Sequence, residues 1–174
     1  MDLMTNYDIY FVGKKEGIHQ FSYEVGESFF QMFEDNSMGD AHLSVAVEME
    51  KKPNLLSFSF EIKGQVELVC DRCLDSFRHP IEVVDMMYVK LADKEEEIDE
   101  HMISVSRDAE KVNLAKWIYE TIVLQVPIRK VHPDDENGNP SCNSEMLEKL
   151  YIFEHNNSKE SDPRWDKLRE LYNK

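Results

Sequence analysis

Cys70 and Cys73 lie two residues apart in the stretch QVELVCDRCLDSF, residues 65–77. This spacing puts two thiolates on one tight turn, where both sulfurs reach a single ion; a structural zinc then needs two further ligands. One other segment, IRKVHPDDENGNPSCN at residues 128–143, holds both a histidine and a cysteine. It supplies His132 and Cys142, and Pro133, Asn137, Gly138 and Pro140 mark it as a loop. Cys70, Cys73, His132 and Cys142 would make an ordinary structural zinc set. Two other readings of the thiols stand beside it. Cysteine is among the most buried residue types, and Cys70 continues the apolar face of its strand, so the pair can be plain core. A redox pair is the third reading, but thioredoxin-like activation relies on a helix N-terminus, and Leu74 to Val84 reads as strand.

Other chemistry is weaker. Asp134, Asp135 and Glu136 fail the calcium-loop spacing, because with Gly138 in sixth place Pro133 would stand first; they read as an acidic turn. A His132–Cys142 nucleophile pair has no oxyanion element or glycine elbow near it. Neither a phosphate loop nor a dinucleotide fingerprint is present. The reading is therefore not an enzyme.

The elements that must position these residues are strands first and helices later. Leu43, Val45, Val47 and Met49 alternate with polar residues. So do Leu56, Phe58, Phe60 and Ile62, then Val66, Leu68 and Cys70 in the same register. Period two over such lengths means strands with one buried face. Lys51, Lys52, Pro53 and Asn54 form a hairpin turn, and Gly64 marks a bulge in the long strand. Phe21, Tyr23 and Val25 give another strand, Ile81 to Leu91 a returning one, and Ile103 and Val105 a short one. DKEEEIDE, residues 93–100, reads as a solvated, self-repelling loop. Asn113 caps a helix over Leu114 to Val126 that Pro127 stops. Leu114, Trp117, Ile118 and Ile122, widened by Val123, Leu124 and Val126, make it a well-buried helix with Trp117 largely buried. A second helix runs from Ser144 to Tyr151. Residues 1–155 form a single α+β domain, an antiparallel sheet or partly closed barrel with a packed helix. Residues 156–174 are a polar linker and a terminal helix, with Asp162 as cap, Pro163 in first place and Trp165, Leu168 and Leu171 on one side.

Composition bounds the partners. The chain has 174 residues, 41% of them hydrophobic, which suits a folded domain rather than a disordered one. Its formal net charge of -15 repels polyphosphate overall, so a nucleic-acid role must be local or act through a basic protein. No stretch approaches the ~20 apolar residues of a membrane span, and the first residues do not read as a secretory leader. The expectation is a cytoplasmic protein that does not engage membranes.

Three stretches together, GQVELVCDRCLDSF, VNLAKWIYETIVLQVPIRKVH and DPRWDKLREL, resemble the YceD family of large ribosomal RNA subunit accumulation proteins. The family pattern runs from a glycine-led alternating strand into Cys-x-Arg-Cys-Leu, here Gly64, Val66, Leu68, Cys70, Arg72, Cys73 and Leu74. A helix ending in Leu-x-x-Pro follows, here Leu124 to Pro127. The resemblance covers roughly the last two thirds of the chain. It implies a non-catalytic factor in synthesis, processing or stability of large-subunit ribosomal RNA, with that RNA or ribosomal proteins as direct or indirect partners. A module that chaperones a basic ribosomal protein is the alternative, and a zinc- or thiol-dependent enzyme a remoter one. Many relatives carry further cysteines after the Leu-x-x-Pro helix, whereas this chain has Cys142 alone there, with His132. Arg72 and Arg78 around the cysteine turn, and Arg129 and Lys130 after the helix, are the candidate contacts for RNA or a partner.

Overall fold

Alternation of this kind commits a chain to strands that share a face, and the computed structural model of the chain shows how they pair. It describes residues 3–34, 38–93, 96–135 and 137–157. Two units emerge, one from residues 1–69 and 76–130 and the other from residues 70–75 and 131–174.

The first unit opens with a 3-10 helix, Leu3–Tyr7, and a short strand β1 (Asp8–Tyr10). There follow β2 (Gly17–Gly26), the short helix α1 (Glu27–Gln31), β3 (Ala41–Lys52), β4 (Leu55–Val69) and β5 (Ser76–Ala92). Then come β6 (Glu96–Asp99), β7 (Met102–Ser106), β8 (Lys111–Asn113) and the helix α2 (Ala115–Gln125). Six strands form one sheet in the order β2-β3-β4-β5-β7-β6, while β1 and β8 pair separately. Every pairing is antiparallel except β5 with β7. The fold is thus α+β as expected, with an open sheet rather than a closed barrel.

Pro53 and Asn54 are the two residues between the paired Lys52 and Leu55. From there β4 buries Leu56, Phe58, Phe60, Ile62, Val66 and Leu68, and β3 answers with Leu43, Val45, Val47 and Met49. Gly64 does not form the expected bulge. It pairs with Leu43 on one side and Ile81 on the other with no break in register. Its φ is +151°, and a Cβ there would lie 2.0 Å from the His42 carbonyl oxygen and 2.8 Å from Leu43 Cα. Glycine is required because the neighbouring backbone passes where a side chain would begin. Pro80, opposite Gln65, lies in the part of β5 that β7 does not reach, so its missing N–H breaks no ladder among the described residues.

Two further expectations are corrected. The acidic stretch is not wholly loop: Glu96–Asp99 is the edge strand β6, paired to β7 and exposed along its length. Its pairing needs no apolar side chains, the Ser104 hydroxyl of β7 accepting the Glu96 N–H at 3.1 Å, and charge on an edge discourages further strands from adding. The helix α2 is less deeply buried than expected: it buries Ala115, Ile118, Thr121 and Ile122 and leaves Leu124 80% exposed, while Trp117 is partly buried and packs against the core. The helix begins at Ala115, whose N–H donates to Asn113 Oδ1 at 3.0 Å. Asn113 Nδ2 in turn donates to the Met4 carbonyl and to Asp8 Oδ1, at 2.7 and 2.8 Å. One amide therefore ties the start of α2 to the start of the chain. The core adds Ile9, Phe11, Phe29 and Phe30, which the reading of the sequence did not place.

In the second unit the helix α3 (Ser144–Asn157) begins where expected and runs two turns further. Of the linker and terminal helix expected at residues 156–174, Asn156 and Asn157 instead end α3, and residues 158–174 lie outside the described residues. Among those described, no helix is long and apolar enough to cross a membrane.

Gly64→Ala should destabilise the first unit by about 3 kcal/mol or more, combining backbone strain of about 1–3 with overpacking of similar size; thermal and urea unfolding will measure it, and a loss below about 1 kcal/mol would refute the close-approach account. Asp8 provides a pH handle. Burial opposes its charge, but Lys111 at 2.7 Å and Asn113 outweigh it and hold its pKa below the usual carboxylate range. A depressed carboxyl pKa stabilises the fold at neutral pH, and that contribution is lost as pH falls through the folded-state value. Asp8→Asn should cost about 1–2 kcal/mol at pH 7 and flatten the stability profile below about pH 4.

Candidate metal centre

The residues that could hold an ion all belong to the second unit. Buried side chains on β4 fall at even-numbered positions, and Cys70, the first residue past the strand, keeps that parity. The chain then turns. Leu74 N–H donates to the Cys70 carbonyl at 2.9 Å and Cys70 N–H to the Asp75 carbonyl at 3.0 Å. Leu74 takes φ +64°, the left-handed conformation that completes the reversal. Arg72 N–H points at Cys70 Sγ from 3.4 Å. Residues 70–75 are thus a knuckle with both sulfurs on one turn.

The other two candidates arrive on a loop that polar side chains shape. Asp135 Oδ1 accepts the N–H groups of Asn137 and Asn139, both at 2.8 Å, and these contacts, with the Asn139 side chain, lower its pKa. That carboxylate is spent on the turn, in keeping with an acidic turn rather than a hard-metal loop. Cys142 follows, and beside it Asn143 caps α3. Asn143 Oδ1 accepts from Glu145 N–H at 3.1 Å and Met146 N–H at 3.4 Å, while its Nδ2 donates to Asp75 Oδ2 at 3.2 Å. Asn143 and Asp75 are positioning residues that reading the sequence missed. An asparagine just before Ser144 and Glu145 is a helix-capping signal, but nothing in the sequence pairs it with Asp75.

Cys70, Cys73, His132 and Cys142 converge, with their candidate donor atoms all within 4.8 Å of one another. Cys70 Sγ is 3.8 Å from Cys142 Sγ; His132 Nδ1 is 3.4 Å from Cys73 Sγ and 3.7 Å from Cys142 Sγ. A tetrahedral zinc with bonds of about 2.3 Å to sulfur and 2.0–2.1 Å to nitrogen sets its ligands about 3.8 Å apart for two sulfurs and about 3.6 Å for sulfur and nitrogen. The cluster therefore fits the ion in donor type, number and spacing. All three thiols are buried, and His132 is half-buried. Burial works against ionising Cys70, yet N–H groups of Cys73, Arg72 and His132 and the His132 side chain bring its pKa down to about 6. Cys142 is pushed up by burial and by the two neighbouring sulfurs. Cys70 is held toward the thiolate while Cys142 resists it; a bound divalent cation would favour the thiolate form at both.

The competing readings meet specific observations. All three thiols count among the buried apolar residues, so burial alone fits the plain-core reading as well as a metal site. The knuckle leads into β5 rather than a helix, so the helix N-terminus that activates a redox pair is missing at Cys73. Of the basic candidates, Arg72 sits in the knuckle, whereas Arg78, Arg129 and Lys130 belong to the first unit. Arg78 is engaged by Asp40, with Nη2 2.8 Å from the carboxylate. Arg129 is exposed and Lys130 half-buried.

Comparison with known proteins adds one finding. Residues 58–172 match the sequence profile of a family described as large ribosomal RNA subunit accumulation protein YceD. No curated protein and no solved structure gives a significant match.

Protein purified without added zinc or chelator should carry about one divalent ion per chain. Cobalt substitution should give the visible bands of a tetrahedral thiolate site together with sulfur-to-metal charge transfer in the near ultraviolet. Cys73→Ser and Cys142→Ser should each lose metal retention by tenfold or more and change first-unit stability by less than about 0.5 kcal/mol. Metal-free protein with unchanged thiol reactivity in both variants would refute the site.

Proposed function

The chain belongs to the YceD family of large ribosomal RNA subunit accumulation proteins, and from that premise we propose that it is a non-catalytic cytoplasmic factor supporting synthesis, processing or stability of large-subunit ribosomal RNA. The observation that carries this reading is the reach of the match, residues 58–172, which takes in most of β4, the knuckle, α2, all four candidate ligands and α3. The matched range therefore spans the candidate ligands as well as the helix α2.

A structural zinc, held by Cys70, Cys73, His132 and Cys142, is part of the proposal. Four protein donors close a tetrahedral shell, whereas a catalytic zinc keeps a position open for water or substrate. That supports scaffolding over catalysis. When bound, the ion supplies cross-linking: it joins the 70–75 turn to the 131–143 segment and holds Arg72 at the surface of the knuckle.

Charge decides between two routes to the RNA. Direct contact would run through Arg72, Arg78, Arg129 and Lys130, but Arg78 is already countered by Asp40, and phosphate affinity scales with the number of cations engaged. A chain of net charge -15 is better suited to holding a basic ribosomal protein, so the route through a protein partner is the one we favour.

The test is a deletion strain read by sucrose-gradient profile and by the ratio of mature and precursor large-subunit RNA to small-subunit RNA. The large-subunit signal should fall, the wild-type chain should restore it, and the Cys73→Ser chain should restore it only in part. Unchanged large-subunit RNA in the deletion strain would overturn the reading.

A further inference from the structure

Beside α2 the first unit carries a groove of about 610 Å³, walled by the helix and by the β6–β7 end of the sheet. Its floor is apolar: Ile103 of β7 with Trp117, Val123 and Leu124 of α2. Leu124 is 80% exposed, and Trp117 and Val123 are only half-buried. Burying such side chains is worth about 1.5–3 kcal/mol each. The rim is acidic. Among the described residues, Asp85, Glu97, Asp99, Glu100 and Glu120 line it against one lysine, Lys116, and the imidazole of His101.

That lysine shows what the rim accepts. Its ammonium sits 3.3 Å from Glu97 of β6 and 3.8 Å from Glu120 of α2. A cation already spans the two walls. Asp85 is fixed in place as well, since Oδ2 accepts the Thr121 hydroxyl at 3.0 Å and Oδ1 accepts Met86 N–H at 2.8 Å. Its remaining neighbour is His101, at 3.8 Å. Rim carboxylates held over an aromatic floor suit arginine better than lysine, because a guanidinium pairs bidentately with carboxylate while its plane stacks on an indole. The volume takes a few side chains rather than a folded domain. Phosphate would meet five carboxylates and no free cluster of cations, so RNA is the wrong chemistry for it.

The geometry points to this groove as the docking site for an arginine-rich segment of a basic protein, with one apolar side chain of that segment seated on Trp117 and Leu124. The inference rests on the proposed reading that the chain works through a basic protein partner, and it names where and how that partner is held. Lys116 then acts as a built-in competitor: it occupies part of the rim and weakens binding, so that the partner can be released.

The test uses the full-length metal-loaded protein and a fluorescent peptide of about twelve residues, half of them arginine with one central leucine, read by anisotropy at about 0.15 M salt. Glu97→Gln with Glu120→Gln should weaken binding about tenfold, and Lys116→Gln should tighten it about threefold. The same charge changes made on the polar face of the sheet, Glu48→Gln with Glu61→Gln and separately Lys63→Gln, should shift it by less than about twofold. Leu124→Ser removes an exposed side chain, leaves folding intact, and should weaken the leucine peptide but not a glycine-substituted one. Equal effects from the two glutamate pairs would show binding by net charge alone and overturn the inference. So would an RNA oligonucleotide that binds in a Leu124-dependent way. In cells the two levels separate. A deletion strain with normal large-subunit RNA refutes the functional reading and leaves the peptide result standing. A defective deletion strain restored fully by the Glu97→Gln, Glu120→Gln, Leu124→Ser chain refutes the groove alone.

Discussion

Three sulfurs and one imidazole nitrogen crowded within 4.8 Å set the terms for the whole second unit. Its described residues add nothing to the apolar core, which is drawn entirely from the first unit. On α3, Leu150, Tyr151, Ile152 and Phe153 are exposed, so this helix does not bury an apolar face of its own. Small units without a core need a cross-link. Here the hydrogen bonds from Asn143 to Asp75 and the sulfur–imidazole contacts are what join the knuckle to the loop. On the proposed reading, a cation at their centre would cross-link the knuckle and the loop more strongly than these contacts alone.

The first unit has no such dependence. β4 pairs with β5 along all 15 of its residues and with β3 from Leu55 to Val66. Period-two geometry links this core to the thiol chemistry. A slip of one residue in β4 would carry its whole apolar set, and the parity of Cys70 with it, to the opposite face. The unbroken register through Gly64 keeps that parity over the full length of the strand. Its price is a position where only a hydrogen fits, since β3 backbone occupies the place of a side chain.

What could be read in the chain follows from which signals are local. Alternation over β3, β4 and β5 is legible because each strand is long and one of its faces is buried. The four donors are legible because cysteine is scarce and a two-residue spacing has few uses. β1 and β8 are not legible: three residues show no period, and their pairing, Asp8 with Asn113, joins positions 105 residues apart that local patterns cannot connect. β6 is masked by its own charge, since an edge strand needs backbone partners and not apolar side chains. Leu124 misled for a related reason. A helix that buries a narrow stripe still carries large apolar residues elsewhere, and sequence cannot tell a side chain packed inside from one left at the lip of a groove. The Asp75–Asn143 contact needs the knuckle and the loop to be brought together first, so it is visible only in three dimensions.

The acidic body and the ribosomal RNA connection are reconciled by competition. Carboxylates and phosphates want the same cations, but they bind them on different terms. RNA releases condensed counterions when it takes up a basic protein, and that gain grows with every arginine engaged. A protein groove with five carboxylates, two of them already paired to Lys116, offers a smaller reward that saturates with a few side chains. On the proposed reading, the chain would cover arginines that would otherwise bind RNA indiscriminately, and would lose them to a correctly shaped RNA site that engages more of them at once. Such a holder must be acidic enough to win against isolated phosphates and weak enough to lose against an assembled site. Stronger binding would defeat the function, which is a physical reason for a lysine to stand inside an acidic groove.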